Sequence, residues 1–476
     1  MKKILALLLS VALVFALAAC GSNEPDKLVI WSFTDELQTE GDVANFIAQF
    51  TGPGQKYEGM EVEYVIVPTE DYLTTILPTL RTGVGAPDVF TGELDMVQNF
   101  MEGGFLADLE SFIKADPDLD YNQVKNNFTD YIWDAGIDPQ DGLLKALSWQ
   151  VTPGAIFFKT DMAQAVWGNE PGFPRDSQPG VFSQMVSDWV STNKFNTLEN
   201  LLSSAEEVKA FNPNWRLFPD DQAIRHFASG SDNAQSWLDA NGKVNPAKIE
   251  ELIVYMEVVA SIYGESIEDS LTANAGEWSG EWFAGMGREI TDVSGVSYQV
   301  MAYSLPTWGL FYVIAPNVET VDDQPKGNWG MASGPNSYFW GGTFLGIREG
   351  SNNKEAAYDF IKSMILDNDY LLQRSANGDV YAVQSVMDTV RLNFTGNPVL
   401  GGMNHYNAFL AEADKISFEN ITKYDRQLDT LFGKYVDAYK RSEQGARTIE
   451  EALNSFYQEV RVTLPDVYRT GLPFQQ

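Results

Sequence analysis

The sequence predicts an α/β protein of two lobes with a ligand cleft between them. Three observations carry this reading. The chain has 476 residues, too many for one compact core when single domains usually run about 100–200 residues. Its first hundred residues alternate strand-like and helix-like patterns, and no low-complexity linker separates the halves. Without a linker, the chain is expected to cross between the lobes more than once.

The first twenty residues are unlike the rest. Lys2 and Lys3 precede an apolar run over 4–15 interrupted only by Ser10, followed by Ala16, Leu17, Ala18 and Ala19, the order of a secretory signal peptide. The run is shorter than the ~20 residues needed to span a bilayer, and no later segment reaches that length without charges. The mature chain is therefore expected to be soluble and extracytoplasmic. Cys20, the one cysteine, directly follows Leu17-Ala18-Ala19, which resembles the lipobox of bacterial lipoproteins. That resemblance implies cleavage before Cys20, palmitate on its thiol and attachment to the outer face of the cytoplasmic membrane. The alternative is an ordinary signal peptide with an incidental cysteine, although exported proteins seldom keep one unpaired thiol. With Cys20 acylated no disulfide can form, so stability must come from a large core.

Formal net charge is −34, which repels nucleic acid and anionic membrane surfaces and disfavours a polyanionic ligand. The acidic residues are scattered, not blocked, as on a solvated surface.

After a polar tether over 21–26, residues 27–33 (KLVIWSF) read as a buried strand, because apolar and β-branched residues run together without helical period. Asp42 precedes Val43, Ala44, Phe46, Ile47 and Phe50 on one helical face. Residues 61–67 (EVEYVIV) are strand-like, 70–81 helix-like with a stop near Gly83, and 88–90 a third strand. This order predicts a parallel sheet with helices on both faces, whose ligands bind beyond the carboxyl ends of the strands. Further strands are expected at 143–149, 155–159, 298–304, 310–315 and 343–347. A helix-rich and loop-rich stretch covers 161–290, and a helix over 354–365 leads into mostly helices.

Several local patterns then resemble, in order, the extracellular solute-binding proteins of family 1, the maltose-binding-protein-like receptors of sugar ABC importers. Gly85-Ala86-Pro87-Asp88-Val89 is similar to that family's Pro-Asp strand, and 104–109 (GFLADL) to the turn after it. Residues 141–143 through 158–161 resemble the entry into the second lobe. Gly341-Gly342-Thr343 through Ile347, with 354–357 (KEAA) and Phe360-Ile361, resemble its late strand-helix unit. Thr448 to Leu453 resemble its C-terminal helix start, where Thr448 and Glu451 also have capping-box spacing. The resemblance implies a periplasmic-binding-protein-like fold with several hinge crossings, a carbohydrate ligand, and a monomer that delivers it to ABC permease subunits and their ATPase. Lobes are expected over 27–148 plus about 296–337, and over 149–295 plus about 338–476.

Sugars present apolar faces and a rim of hydroxyls, so their sites pair aromatic platforms with carboxylates or amides. With 12 Trp, 20 Tyr and 28 Phe the chain has many such platforms, most of them expected in the core. Trp31 closes the first strand, which sets Asp35 and Glu36 at the cleft rim; lobe packing is its other reading. The resemblance places Glu93 and Asp95 where ligand-contacting polar residues stand, and makes Trp308 the stacking tryptophan of the second lobe. Trp340 precedes Gly341-Gly342, where backbone can approach a ligand closely. In 276–282 (GEWSGEW), Glu277 and Glu281, and Trp278 and Trp282, would each share one face of a helix. Trp278 is the candidate ligand contact there; a helix with buried tryptophans and solvated carboxylates is the competing reading.

No catalytic residue, metal or cofactor is expected. Glu277 and Glu281 on one helix would point the same way, not from opposite sides of a glycosidic bond. There is no GxSxG elbow, and His226 and His405 are far apart in sequence, too few for a transition-metal site. Asp116, Asp118 and Asp120 have calcium-loop spacing, but Tyr121 replaces the glycine and Asn127 the closing glutamate, so they read as a connection between helices. A secreted carbohydrate-active hydrolase, or a receptor for a peptide or polyol, remains the alternative.

Overall fold

The computed structural model describes residues 27–175, 180–228, 237–263, 269–291, 295–375, 378–416 and 422–471. Leader, tether and Cys20 lie outside them.

The three N-terminal strands form as expected. Lys27–Ser32 pairs in parallel with Glu61–Ile66 on one side and Val89–Gly92 on the other. Burial alternates along Lys27–Ser32, and Val89–Gly92 is wholly buried. Phe344–Ile347 then pairs antiparallel with Val89–Gly92, and Ala146–Ser148 with Phe344–Ile347, completing a five-stranded sheet. The helices Asp42–Phe50 and Thr69–Thr82 follow their strands, the second ending at Gly83 with φ 70°, where a residue without Cβ adopts the left-handed conformation freely.

A second sheet builds the other lobe. Gly154–Lys159 is its centre, antiparallel to both Ala302–Pro306 and Trp329–Ala332. Helices pack around it over a core of Ile156, Phe158, Trp167, Phe195 and Leu217. Beyond lies a helical layer of Pro246–Ile262, Asp425–Lys440 and Ile449–Thr463, joined through Tyr255, Phe432 and Phe456. Thr448 caps the last helix by accepting from the Glu451 N–H at 3.1 Å.

The strand pairing corrects the expected lobe boundaries. The strands at 302–306 and 329–332 belong with the second lobe, and the strand at 344–347 with the first. Short apolar strands carry no local mark of their partners, and the buried strand at 154–159 needs a ladder on both edges. The segment 310–315 is also not a strand. Leu310–Ile314 is helical, continuing the turn Thr307–Gly309, because a short buried apolar run suits either state.

The chain passes between lobes over 149–153 and again over 333–343, and these passages lie side by side. The Gly154 N–H donates to the Tyr338 carbonyl at 2.7 Å, and the Trp340 N–H to the Thr152 carbonyl at 3.1 Å. Asp116, Asp118 and Asp120 connect two helices, as expected: Lys362 pairs with Asp116 and Asp118 at 2.7 and 3.2 Å, and Asp120 caps Tyr121–Asn126.

One polar cluster is buried in the first lobe. Arg374, with 1% of its side chain exposed, pairs with Glu40, Asp42 and Asp379 and lies 4.9 Å from the Trp149 ring. Burial pushes Asp42 and Asp379 up to about 6 despite the arginine. Glu36, Glu40 and Asp379 bring one oxygen each within 4.8 Å of one another, and the guanidinium supplies the positive charge there. Removing one partner of a buried ion pair typically costs about 3–5 kcal/mol. Arg374→Met is therefore expected to lower unfolding free energy by about 3 kcal/mol or more in urea titration. These carboxyls hold protons more tightly folded than unfolded, so stability falls as pH rises from about 4 through about 6. Melting temperature should be higher at pH 5 than at pH 7.5.

Candidate ligand site at the lobe junction

Three of the candidate tryptophans meet where the lobes join. Trp308 stands in the turn just past Ala302–Pro306, and Trp340 in the second passage between lobes. The Trp308 Nε1–H donates to the Trp340 carbonyl at 2.9 Å. Trp278 stacks on Trp308 with centroids 6.0 Å apart and planes 15° apart. Trp340 stands edge-on to both, at 5.8 and 5.2 Å. Perpendicular and offset-parallel contacts satisfy the ring quadrupoles, and Trp278 keeps 49% of its surface exposed.

Trp278 is held there by backbone, not by a helix. The helix begins only at Gly280, where Ser279 accepts from the Trp282 N–H at 3.1 Å. This corrects the expectation of one helical face over 276–282: Trp282 is buried, Glu281 is exposed, and Glu277 and Trp278 lie in the preceding turn. Trp278 has φ 67°, a left-handed conformation that costs a non-glycine residue about 1–2 kcal/mol. Asp220 holds the turn by accepting from the Glu277 N–H at 2.8 Å.

Polar groups surround the indoles. His226 stacks on Trp340 at 4.4 Å, and its Nε2 lies 3.4 Å from Glu277 Oε1. Glu93, from the first lobe, comes close at Gly341. A Cβ added to Gly341, whose φ is 77°, would meet Trp308 Nε1 at 3.2 Å and Glu93 Oε1 at 3.7 Å. Only glycine combines this conformation with so close an approach. The neighbouring Thr152 hydroxyl donates to the Gly341 carbonyl at 3.2 Å. Glu93 and Asp95 share Arg426, at 3.2 and 3.0 Å. Burial, then the adjacent Asp95 charge, pushes Glu93 up to about 7 against the pull of Arg426.

The remaining candidates sit elsewhere. Glu36 accepts from Gln150 Nε2 at 2.5 Å and from the Thr343 hydroxyl at 3.4 Å, on the far side of the glycine pair and beside the Arg374 cluster. Asp35 is exposed at the start of Glu36–Thr39. Trp31 is half-buried against the first-lobe core, and its carbonyl accepts from the Tyr72 hydroxyl at 3.3 Å. Sequence reasoning missed His226 and Arg426. His226 was weighed only as a metal ligand or a triad member, and nothing local marks Arg426.

The two-lobed α/β fold is that of solute-binding proteins. Residues 37–368 match the family model described as bacterial extracellular solute-binding protein, and the chain belongs to that family. Solved structures share the fold. One described as extracellular solute-binding protein family 1 is 16% identical with a TM-score of 0.69, covering 91% of this chain and 99% of that one. The GacH receptor of Streptomyces glaucescens, solved unliganded and with acarbose and an acarbose homologue, is 17% identical with a TM-score of 0.64, covering 94% and 100%. The sugar-binding protein MalE of Xanthomonas citri is 16% identical with a TM-score of 0.64, covering 92% and 98%. No curated protein matches in sequence. Among the described residues no helix is long and apolar enough to cross a membrane.

Asp220 provides a test of the turn. Burial, then the charges of Asp221 and Glu277, push its carboxyl up to about 8, so it is largely protonated at neutral pH. Asp220→Asn should fold like the parent at pH 7. Because the parent loses stability as pH rises towards about 8 while asparagine does not titrate, the variant's melting temperature should fall less between pH 6 and pH 9.

Proposed function

We propose that this chain is the capture component of an ABC importer: it binds a sugar or oligosaccharide outside the cell and delivers it to membrane permease subunits served by an ATPase. The observation that carries this is the meeting of Trp278, Trp308 and Trp340 with Glu93 and Glu277 at the lobe junction. Indole faces suit the C–H face of a pyranose, and carboxylates accept its hydroxyls. Relatives of the same fold solved with acarbose or named as sugar-binding support the reading. Cys20, following a signal-peptide pattern, would anchor the chain by a lipid, and the functional unit would be a monomer.

Binding would draw the lobes together, since the site takes residues from both, and a ligand shifts a conformational equilibrium only through contacts made preferentially in one state. The closed form would then dock on the permease.

Thermal unfolding against mono- and oligosaccharides, polyols, peptides and calcium tests the reading. A ligand at 100 times its Kd stabilises the folded state by about 2.7 kcal/mol, a shift of several degrees. A saccharide should raise the melting temperature and be recovered unchanged. Trp308→Ala should weaken its binding at least about tenfold, the effect of ~1.4 kcal/mol. Consumption of the saccharide would turn the assignment to a hydrolase. A shift with peptides or calcium alone would sink the sugar assignment.

A further inference from the structure

Arg426 reaches the site from the opposite lobe. It lies on Asp425–Lys440, which packs with Pro246–Ile262 and Ile449–Thr463 in the second lobe. Its two carboxylate partners are first-lobe residues. Glu93 directly follows the strand Val89–Gly92, and Asp95 stands in the first turn of the helix Leu94–Glu102. Arg426 Nη2 donates to Glu93 Oε2 at 3.2 Å, and its Nε lies 3.0 Å from Asp95 Oδ2. A second contact runs alongside, between Lys423 and Glu102.

The two oxygens of Glu93 have different surroundings. Oε2 is held by Arg426. Oε1 is turned towards Gly341, 3.7 Å from the point where a Cβ there would sit, and Trp308 Nε1 is 3.2 Å from that same point. Among the described residues Oε1 has no hydrogen-bond partner. One oxygen is tied across the lobe junction, and the other is left as an acceptor beside the indoles.

We propose that Arg426 is a positioning residue for ligand capture: with the lobes together it holds Glu93 Oε2 so that Oε1 is turned to the tryptophan cluster, and it favours the charged form of Glu93 that the closed junction opposes. The proposal rests on the sugar-site reading above. An ionised Glu93 accepts from a ligand hydroxyl, whereas a protonated one loses much of that capacity. The charged groups acting on Glu93 are Asp95 on its own helix, which disfavours ionisation, and Arg426 from the second lobe, which favours it. Trp308 and Gly341, on the remaining side, carry no charge. When the lobes part, Glu93 loses the partner that orients it, and the ligand loses a prepared acceptor.

The test needs no ligand for its first arm. In protein labelled with 13C at glutamate side-chain carboxyls, the Glu93 resonance is assigned by its loss in Glu93→Gln. Its titration is then followed in the parent, R426Q, R426K and K423Q. A midpoint near 7 is expected in the parent, raised by about half a pH unit or more in R426Q, the shift that corresponds to a partly screened ion pair. R426K should restore part of the difference. K423Q, which removes the contacts of Lys423 with Glu102 and the Tyr424 ring but leaves Arg426 in place, should leave the midpoint unchanged.

The second arm measures affinity for the saccharide that stabilises the protein in the panel. Affinity should fall as pH drops through the Glu93 midpoint, and R426Q should move that fall to higher pH by the same amount. A Glu93 midpoint in the ordinary carboxylate range, or one that R426Q leaves in place, overturns the proposal. A shift in R426Q with no saccharide bound at any pH upholds the role of Arg426 and overturns the sugar reading instead.

Discussion

The antiparallel contact between the two passages, 149–153 and 333–343, is what the rest of the molecule depends on. It sets the lobes side by side through the Gly154–Tyr338 and Trp340–Thr152 hydrogen bonds. The packing leaves no room for a side chain at Gly154, where a Cβ would lie 1.9 Å from the Tyr338 ring. The same backbone builds the site. The Trp340 carbonyl takes the Trp308 N–H, its indole meets Trp278 and His226, and Gly341 brings Glu93 and Trp308 to one point. Thr343 then joins Gln150 and Glu36, whose neighbours surround Arg374. The passages between lobes and the indole cluster are one stretch of chain, so under the proposed function a ligand that engages the indoles would act on the segment that joins the lobes.

Electrostatics explains why this stretch is polar at all. With 66 acidic and 32 basic residues, cations are scarce. A carboxylate near the junction either takes one of them or is held by other donors. Arg374 serves Glu40, Asp42 and Asp379, and Lys440 pairs with Asp221. Burial pushes Asp221 up, but Lys440 and the hydroxyls of Tyr255 and Tyr263 outweigh it and hold the group below its ordinary range. Asp220, next to it, has no such cation in contact among the described residues, and burial keeps it largely protonated. A buried unpaired charge costs several kcal/mol, and a neutral acid avoids most of that. Two adjacent aspartates thus take opposite protonation states, and the neutral one supports the turn that carries Trp278.

Much of the fold was legible from local pattern. The first three strands follow from unbroken or alternating apolar runs, and the helix ends from Gly83 and Thr448. Trp308 could be singled out through the family resemblance, Trp340 through the glycine pair after it, and Trp278 through the spacing in GEWSGEW. What stayed hidden was non-local. The assignment of the strand at 302–306 to its lobe depends on pairing with Gly154–Lys159, far away in sequence. Arg426 meets Glu93 across 333 positions, and His226 meets Trp340 only through the folded second lobe. Trp31 and Asp35 were legible but lie apart from the indole cluster. They stand at a strand end where such sheets bind ligands, but the two passages bring the indole cluster together at Trp340 and Gly341, with neither residue in it.

The two arginine clusters show how one chain can be rigid within a lobe and yielding between lobes. Arg374 has 1% of its side chain exposed and its carboxylate partners at most 8%. Separating such groups leaves charges in a low-dielectric interior, so the cluster behaves as a fixed part of the first lobe. Arg426 has 43% of its side chain exposed, with Glu93 at 26% and Asp95 at 21%. Water screens pairs of this kind, and each typically contributes about 0–1 kcal/mol. Contacts of that strength can orient a carboxylate without locking the junction. Under the proposed function, the contacts a ligand makes with the indoles would then be enough to bias whether the lobes stay together.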